Sequence, residues 1–110
     1  MGFITHYRGH LRDYAGEFHD PLLLREVTLD EFLAERYPPL LLERFPEQAR
    51  ADRHRERAQV AAATAPGDSL WLWRRVDPSD RTDSSSEEWG GLAVRRAGNV
   101  IRVWLVWEEH

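Results

Sequence analysis

The side chains best placed to do chemistry gather near the start of the chain. His6, His10, Asp13 and Glu17 fall at i, i+4, i+7 and i+11, so on a helix turning about 100° per residue they form one column. Two imidazoles one turn apart, with a carboxylate a turn further, could hold a divalent metal, because histidine nitrogen and carboxylate oxygen are ordinary ligands for one. This makes a metal-binding protein or metal-dependent hydrolase, using His6, His10, Asp13 and Glu17, one reading to carry forward. Tyr7 stands where a zinc peptidase would carry its glutamate base after the first histidine. A polar helix flank facing water would have the same composition.

Two further constellations stand out. Arg50, Arg53, His54 and Arg57, with Arg55 nearby, lie along one side of a polar stretch and could contact phosphates. Glu47, Asp52 and Glu56 interrupt that ridge, and opposite charges three and four apart more often stabilise an exposed helix through local pairs. Nucleic-acid binding through Arg50 to Arg57 is therefore a second alternative and is disfavoured as a partner class. The five tryptophans are the more unusual feature. Tryptophan buries a large area whatever the function, yet one left on a surface beside arginine makes a recognition anchor.

Composition narrows the classes. The chain has 110 residues, no cysteine, 15 basic and 19 acidic residues and a net charge of −4. One hydrophobic core is expected, hence one domain over residues 1–110. Without cysteine there is no disulfide, thiolate metal site, iron–sulfur cluster or cysteine nucleophile. All 15 basic residues are arginine, whose planar fork stacks on aromatic rings and stays charged when partly buried. No apolar run nears the roughly 18 to 20 residues of a membrane span. The first residues lack a signal core and cleavage site, so a cytoplasmic location and no membrane partner are expected. There is no glycine-rich phosphate loop, and Ser84, Ser85 and Ser86 lie in an acidic stretch that offers no rigid nucleophile.

The elements that must position these residues divide the chain into a helical part, 3–64, and a sheet part, 69–107. Phe3, Tyr7, Leu11, Tyr14 and Phe18 recur at helical spacing, which predicts a helix over 3–18, although Gly9 and Gly16 weaken it. Leu22 to Leu24 reads equally as a short strand or a helical turn. Thr28 and Glu31 form a capping box ahead of a helix from Leu29 to Tyr37, which Pro38 and Pro39 end. Leu40 to Arg44 predicts one further turn, and Pro46 opens a helix reaching about Ala63. In that last helix the polar half, Glu47 to Gln59, is expected to project into water while Val60 to Ala63 packs on the core.

Ser69 to Val76 predicts a buried strand, and 77–88 a surface loop. Leu92 to Arg96 and Val100 to Trp107 predict a hairpin turning at Gly98-Asn99, with Leu92 opposite Leu105, Val94 opposite Val103 and Ala93 opposite Trp104. That register turns Leu92, Val94, Ile101, Val103, Leu105 and Trp107 inward, and Ala93, Arg95, Val100, Arg102, Trp104 and Val106 outward.

The expected fold is α+β, with about three N-terminal helices on one face of a small C-terminal antiparallel sheet of three strands. The expected function is a non-catalytic protein-interaction module, such as an inhibitor, adaptor or immunity-type partner of a bacterial enzyme. No catalytic residue, metal or cofactor is assigned to it. Its partner would be another protein or a second copy, held by Trp104, Arg95, Arg102, Val106, Trp71 and Trp73.

Overall fold

Phe3 to Phe18, which the spacing predicts as a helix, is extended. The structure is a computed structural model that describes residues 3–78 and 86–109. Its elements are β1 (Ile4–His6), β2 (Arg12–Asp13), a 3-10 turn (Asp20–Leu22), β3 (Leu23–Val27), α1 (Leu29–Arg36), α2 (Pro39–Arg44), α3 (Pro46–Ala63), β4 (Ser69–Pro78), β5 (Ser86–Arg96) and β6 (Asn99–Glu109). The strands form a six-stranded antiparallel sheet in the order β1-β6-β5-β4-β3, with β2 also paired to β6. The expected three-stranded C-terminal sheet is corrected accordingly. The N-terminal third supplies three of the six strands, and the three helices come between β3 and β4.

Non-local contacts override the helical spacing at the start of the chain. Gly9 adopts φ +83°, and a Cβ there would run into Asp52 of α3. Leu11 is bound on both sides by the Gln59 amide, its N–H donating to Oε1 at 2.9 Å and its carbonyl accepting from Nε2 at 2.8 Å. A side chain thus completes the backbone pairing where β6 does not. The five apolar residues of the supposed stripe separate. Leu11 enters the core beneath the helices, while Tyr7, Tyr14 and Phe18 pack on the opposite sheet face, around Trp73. Tyr14 and Phe18 meet the Trp73 ring at centroid distances of 4.7 and 5.6 Å. That segment thus covers part of the outer face, around Trp73.

The helices after residue 28 follow the sequence closely. Thr28 Oγ1 accepts from the Glu31 N–H at 3.1 Å, and the Glu31 carboxylate accepts from the Thr28 N–H at 3.0 Å. Proline opens both α2 and α3, where its missing N–H costs nothing. The orientation of α3 differs from expectation. Its buried residues are Ala49, Asp52, Glu56 and Val60, one face at spacings of three and four, so the polar half is packed rather than projecting.

The hairpin differs in its faces. The turn is Ala97-Gly98, with φ 50° and 81°, one residue earlier than expected. That shift alone would preserve the faces. A bulge between Val94 and Arg95 then displaces the register by one, giving Leu92↔Trp104, Ala93↔Val103 and Val94↔Arg102. Leu92, Val94, Trp104 and Val106 therefore lie under the helices with Leu70, Phe32, Leu33 and Val60. Ala93, Val103 and Leu105 face the other way with Trp73. A second shift, at Gly90 and Gly91, makes Val106 the extra residue and returns Trp107 to the helix side. Both ends of the predicted 77–88 loop are paired strand instead, with Asp77 opposite Glu87, Pro78 opposite Ser86 and Val76 opposite Glu88. Residues 79–85, with Ser84 and Ser85, lie outside the described residues.

Candidate functional site

The helix-side face is unevenly covered: Leu92, Val94 and Trp104 are buried, whereas Leu24 and Val76 are exposed. At the boundary, a cavity of about 270 Å³ opens between α1 and the sheet. Its walls and floor come from Phe32, Glu35 and Arg36 of α1, Leu24 of β3, Leu72, Trp73 and Arg74 of β4, Gly91 of β5 and Val106 and Trp107 of β6, with His6 and Arg8 along one side. The glycine pair makes this floor possible. A Cβ at Gly90 would overlap the Trp107 indole, and one at Gly91 would overlap the Trp104 carbonyl and stand 2.8 Å from Trp73 Nε1. Gly90 lets the Trp107 ring lie on the sheet. Trp73 Nε1 donates to the Trp104 carbonyl oxygen at 3.0 Å.

The polar lining is mostly committed. Arg36, buried, donates from Nε and Nη2 to the two carboxylate oxygens of Glu56 at 2.5 and 2.7 Å, and also to the Tyr7 carbonyl. Glu56 is 0 % exposed and accepts further from the Tyr37 hydroxyl and, at 2.7 Å, from the Gly9 N–H. This buried carboxylate thus accepts four hydrogen bonds, one on Oε1 and three on Oε2, and is paired with a buried guanidinium, as a buried charge requires. Burial, and then the bond to Glu56, push the Tyr37 hydroxyl up to about 12. Arg74 pairs with Glu88 at 2.8 Å and Glu35 with Arg25 at 2.5 Å. Arg8 donates to the Arg36 carbonyl and lies 5.5 Å from the Tyr37 ring centroid, and among the described residues it has no carboxylate partner. Partial burial, then the charges of Arg8 and Arg36, hold the His6 pKa below its usual value.

The residues predicted to bind a partner do not share one surface. Trp104 is 0 % exposed, and Trp73 and Val106 are also core residues, so these three cannot serve as the exposed anchors expected of them. Arg102 is exposed, paired with Asp13 at 2.9 Å, with its guanidinium over the Trp104 ring. Trp71 is half-buried under Arg95, with its indole N–H donating to Ser69 Oγ at 2.9 Å. Only this last pair remains of the expected outer-face patch.

The histidine column is not assembled, because its helix is not. His6 stands in β1 beside the cavity, exposed His10 follows β1, Asp13 in β2 pairs with Arg102, and Glu17 lies between β2 and the 3-10 turn. Among the described residues no group of three or more His, Asp or Glu side chains is placed to hold a metal. On α3, Arg55 pairs with Asp52, and Arg57 with Asp30 of α1 at 2.8 Å, so part of the supposed phosphate ridge is already neutralised. No helix is long and apolar enough to cross a membrane.

Arg8, Leu24, Phe32, Leu72 and Arg74 carry no motif and were not legible as site residues. The one available signal was Gly90-Gly91 inside an aromatic sheet, since paired glycines in a strand mark a close approach. Comparison of the chain with protein-family models, curated proteins and solved structures gives no match in any of the three.

Proposed function

We propose that this chain is a non-catalytic binding module, and that it holds another protein or a second copy of itself on the open half of the helix-side sheet face. The observation that carries the reading is the uncovered end of that face. Trp107 and Leu72 floor it, and Leu24, 60 % exposed on the edge strand β3, flanks it. Contiguous apolar area of this kind, rimmed by charge, is what an association surface needs. The lining of the cavity favours binding over catalysis. Among the described residues it contains no hydroxyl or thiol nucleophile, and the one carboxylate there, Glu35, is already paired.

The reading is tested by affinity capture from the native host using three forms of the protein: wild type, Trp107→Ala with Leu24→Ser, and Trp71→Ala. Sedimentation of each form reads self-association. The expected result is a stoichiometric partner, or a dimer, kept by wild type and Trp71→Ala and lost from the double variant. Loss from Trp71→Ala alone would move the binding surface back to the outer face and overturn the proposal.

A further inference from the structure

We infer that the cavity beneath α1 receives an acidic anchor from a protein partner: a segment in which a carboxylate side chain neighbours a large aromatic one, the ring entering over Trp107 and the carboxylate meeting Arg8. This rests on the reading that the open half of the helix-side face is the binding surface. It adds what chemistry selects the partner there.

Charge complementarity carries the argument. Among the described residues, three of the four charged groups around the cavity are neutralised within the fold: Arg36 by Glu56, Arg74 by Glu88 and Glu35 by Arg25. Arg8 remains, held in place by its bond to the Arg36 carbonyl and by the Tyr37 ring, with no carboxylate of its own among the described residues. A guanidinium whose position is already set loses little entropy on pairing, and its fork matches a carboxylate. A fixed guanidinium beside an apolar pocket also selects, because a segment carrying a carboxylate gains a pairing there that a neutral one does not. Size agrees. About 270 Å³ falls just under the roughly 300–1,000 Å³ of pockets for drug-sized ligands, and so suits one buried side chain. Interface anchors are typically such aromatic residues seated in a central pocket.

The test uses the intact protein and three blocked tetrapeptides, with central residues Glu-Phe, Gln-Phe and Glu-Ala, titrated while amide and indole N–H resonances are followed by NMR. The Glu-Phe peptide is expected to shift the Trp107 indole and Arg8 signals and to bind at least about ten times more tightly than either other peptide. Arg8→Gln should remove the Glu-over-Gln preference while leaving the preference for Phe over Ala. Equal binding of the Glu-Phe and Gln-Phe peptides overturns the inference, as does binding mapped away from the cavity or no binding at millimolar peptide. If Arg8→Gln fails to fold, the peptide pair on wild type still decides. Failure here together with a captured partner still lost from the Trp107→Ala, Leu24→Ser variant would sink the acidic anchor and leave the binding surface standing.

Discussion

Trp104 and Trp107 stand on the same face of the same strand, three residues apart, and have opposite situations. Trp104 is sealed beneath the helices with Leu92, Val94 and Phe32, whereas Trp107 lies at the mouth of the cavity, half-buried, on Gly90. What separates them is coverage. The helices span only one end of β4, β5 and β6, and α3 is anchored there by Glu56 and Gln59 holding the N-terminal loop. One end of the face is consequently a core and the other a surface, although each carries a tryptophan of β6. Aromatic content by itself therefore says little about which tryptophan stabilises and which recognises.

The comparison breaks first at its closed end. Trp104→Ala is expected to cost about 3–5 kcal/mol by removing a fully buried ring from a packed core. Trp107→Ala should cost roughly 1–2 kcal/mol, because part of its area already meets water. Glu56→Gln belongs with the larger effect. It leaves Arg36 buried with a neutral partner, and breaking a buried pair from one side typically costs about 3–5 kcal/mol, a large share of the roughly 5–15 kcal/mol of a whole domain. Urea midpoints of the three variants check the ranking. Equal losses from Trp104→Ala and Trp107→Ala would show that the open half is as closed in solution as the other.

Much of the closed end was legible and most of the open end was not, for identifiable reasons. α1 announced itself through Thr28 and Glu31, and α3 through Pro46, because caps and breakers act within a few residues. β4 was visible through Leu70, Trp71, Leu72, Trp73 and Val76. The segment from Phe3 to Phe18 was misread because Glu56 and Gln59, some 47 and 48 residues from Gly9 and Leu11, supply what binds it. Local spacing cannot report such a partner. The faces of the last hairpin were inverted at Trp104 by one extra residue, Ile101, and bulges carry no signature in a run of Val, Ile and Trp. Trp107 was recognised as helix-facing, yet nothing in the sequence told how far the helices would reach.

The glycine pair sharpens the same contrast with smaller effects. At Gly91 a methyl group would collide with the Trp104 backbone carbonyl, which the sheet holds in place, so Gly91→Ala is expected to force strand displacement and cost on the order of 1–3 kcal/mol. At Gly90 the collision is with the Trp107 indole, a side chain that can swing outward. Gly90→Ala should therefore cost less stability, and it should change the emission of Trp107 more than that of the buried tryptophans. Comparing melting temperature and fluorescence for the two variants tests this, and a greater loss of stability from Gly90→Ala would refute it.

The smallest effect lies at the far edge of the closed half, where the turn after α3 is tied to the end of β5. Asp68 accepts from Arg96 Nε at 2.9 Å and Nη2 at 2.8 Å, and from the Ala65 N–H at 2.8 Å. The Arg96 bonds first, and then the Ala65 N–H, hold its pKa down from 3.8 to about 2. Above about pH 4 the carboxylate is ionised in both folded and unfolded chains, and the stabilisation is fully present. Between about pH 4 and about pH 2 the unfolded chain takes up a proton that the native one refuses, so stability falls with pH until the native group protonates as well. Asp68→Asn removes that titration. Its melting temperature is expected to lie below wild type at pH 6 and to approach it as pH falls towards 2, since the other carboxylates titrate alike in both proteins and cancel in the difference. A difference that stays constant across that range would mean that Arg96 does not hold Asp68 in solution, and that the end of α3 is fixed to the sheet by packing alone.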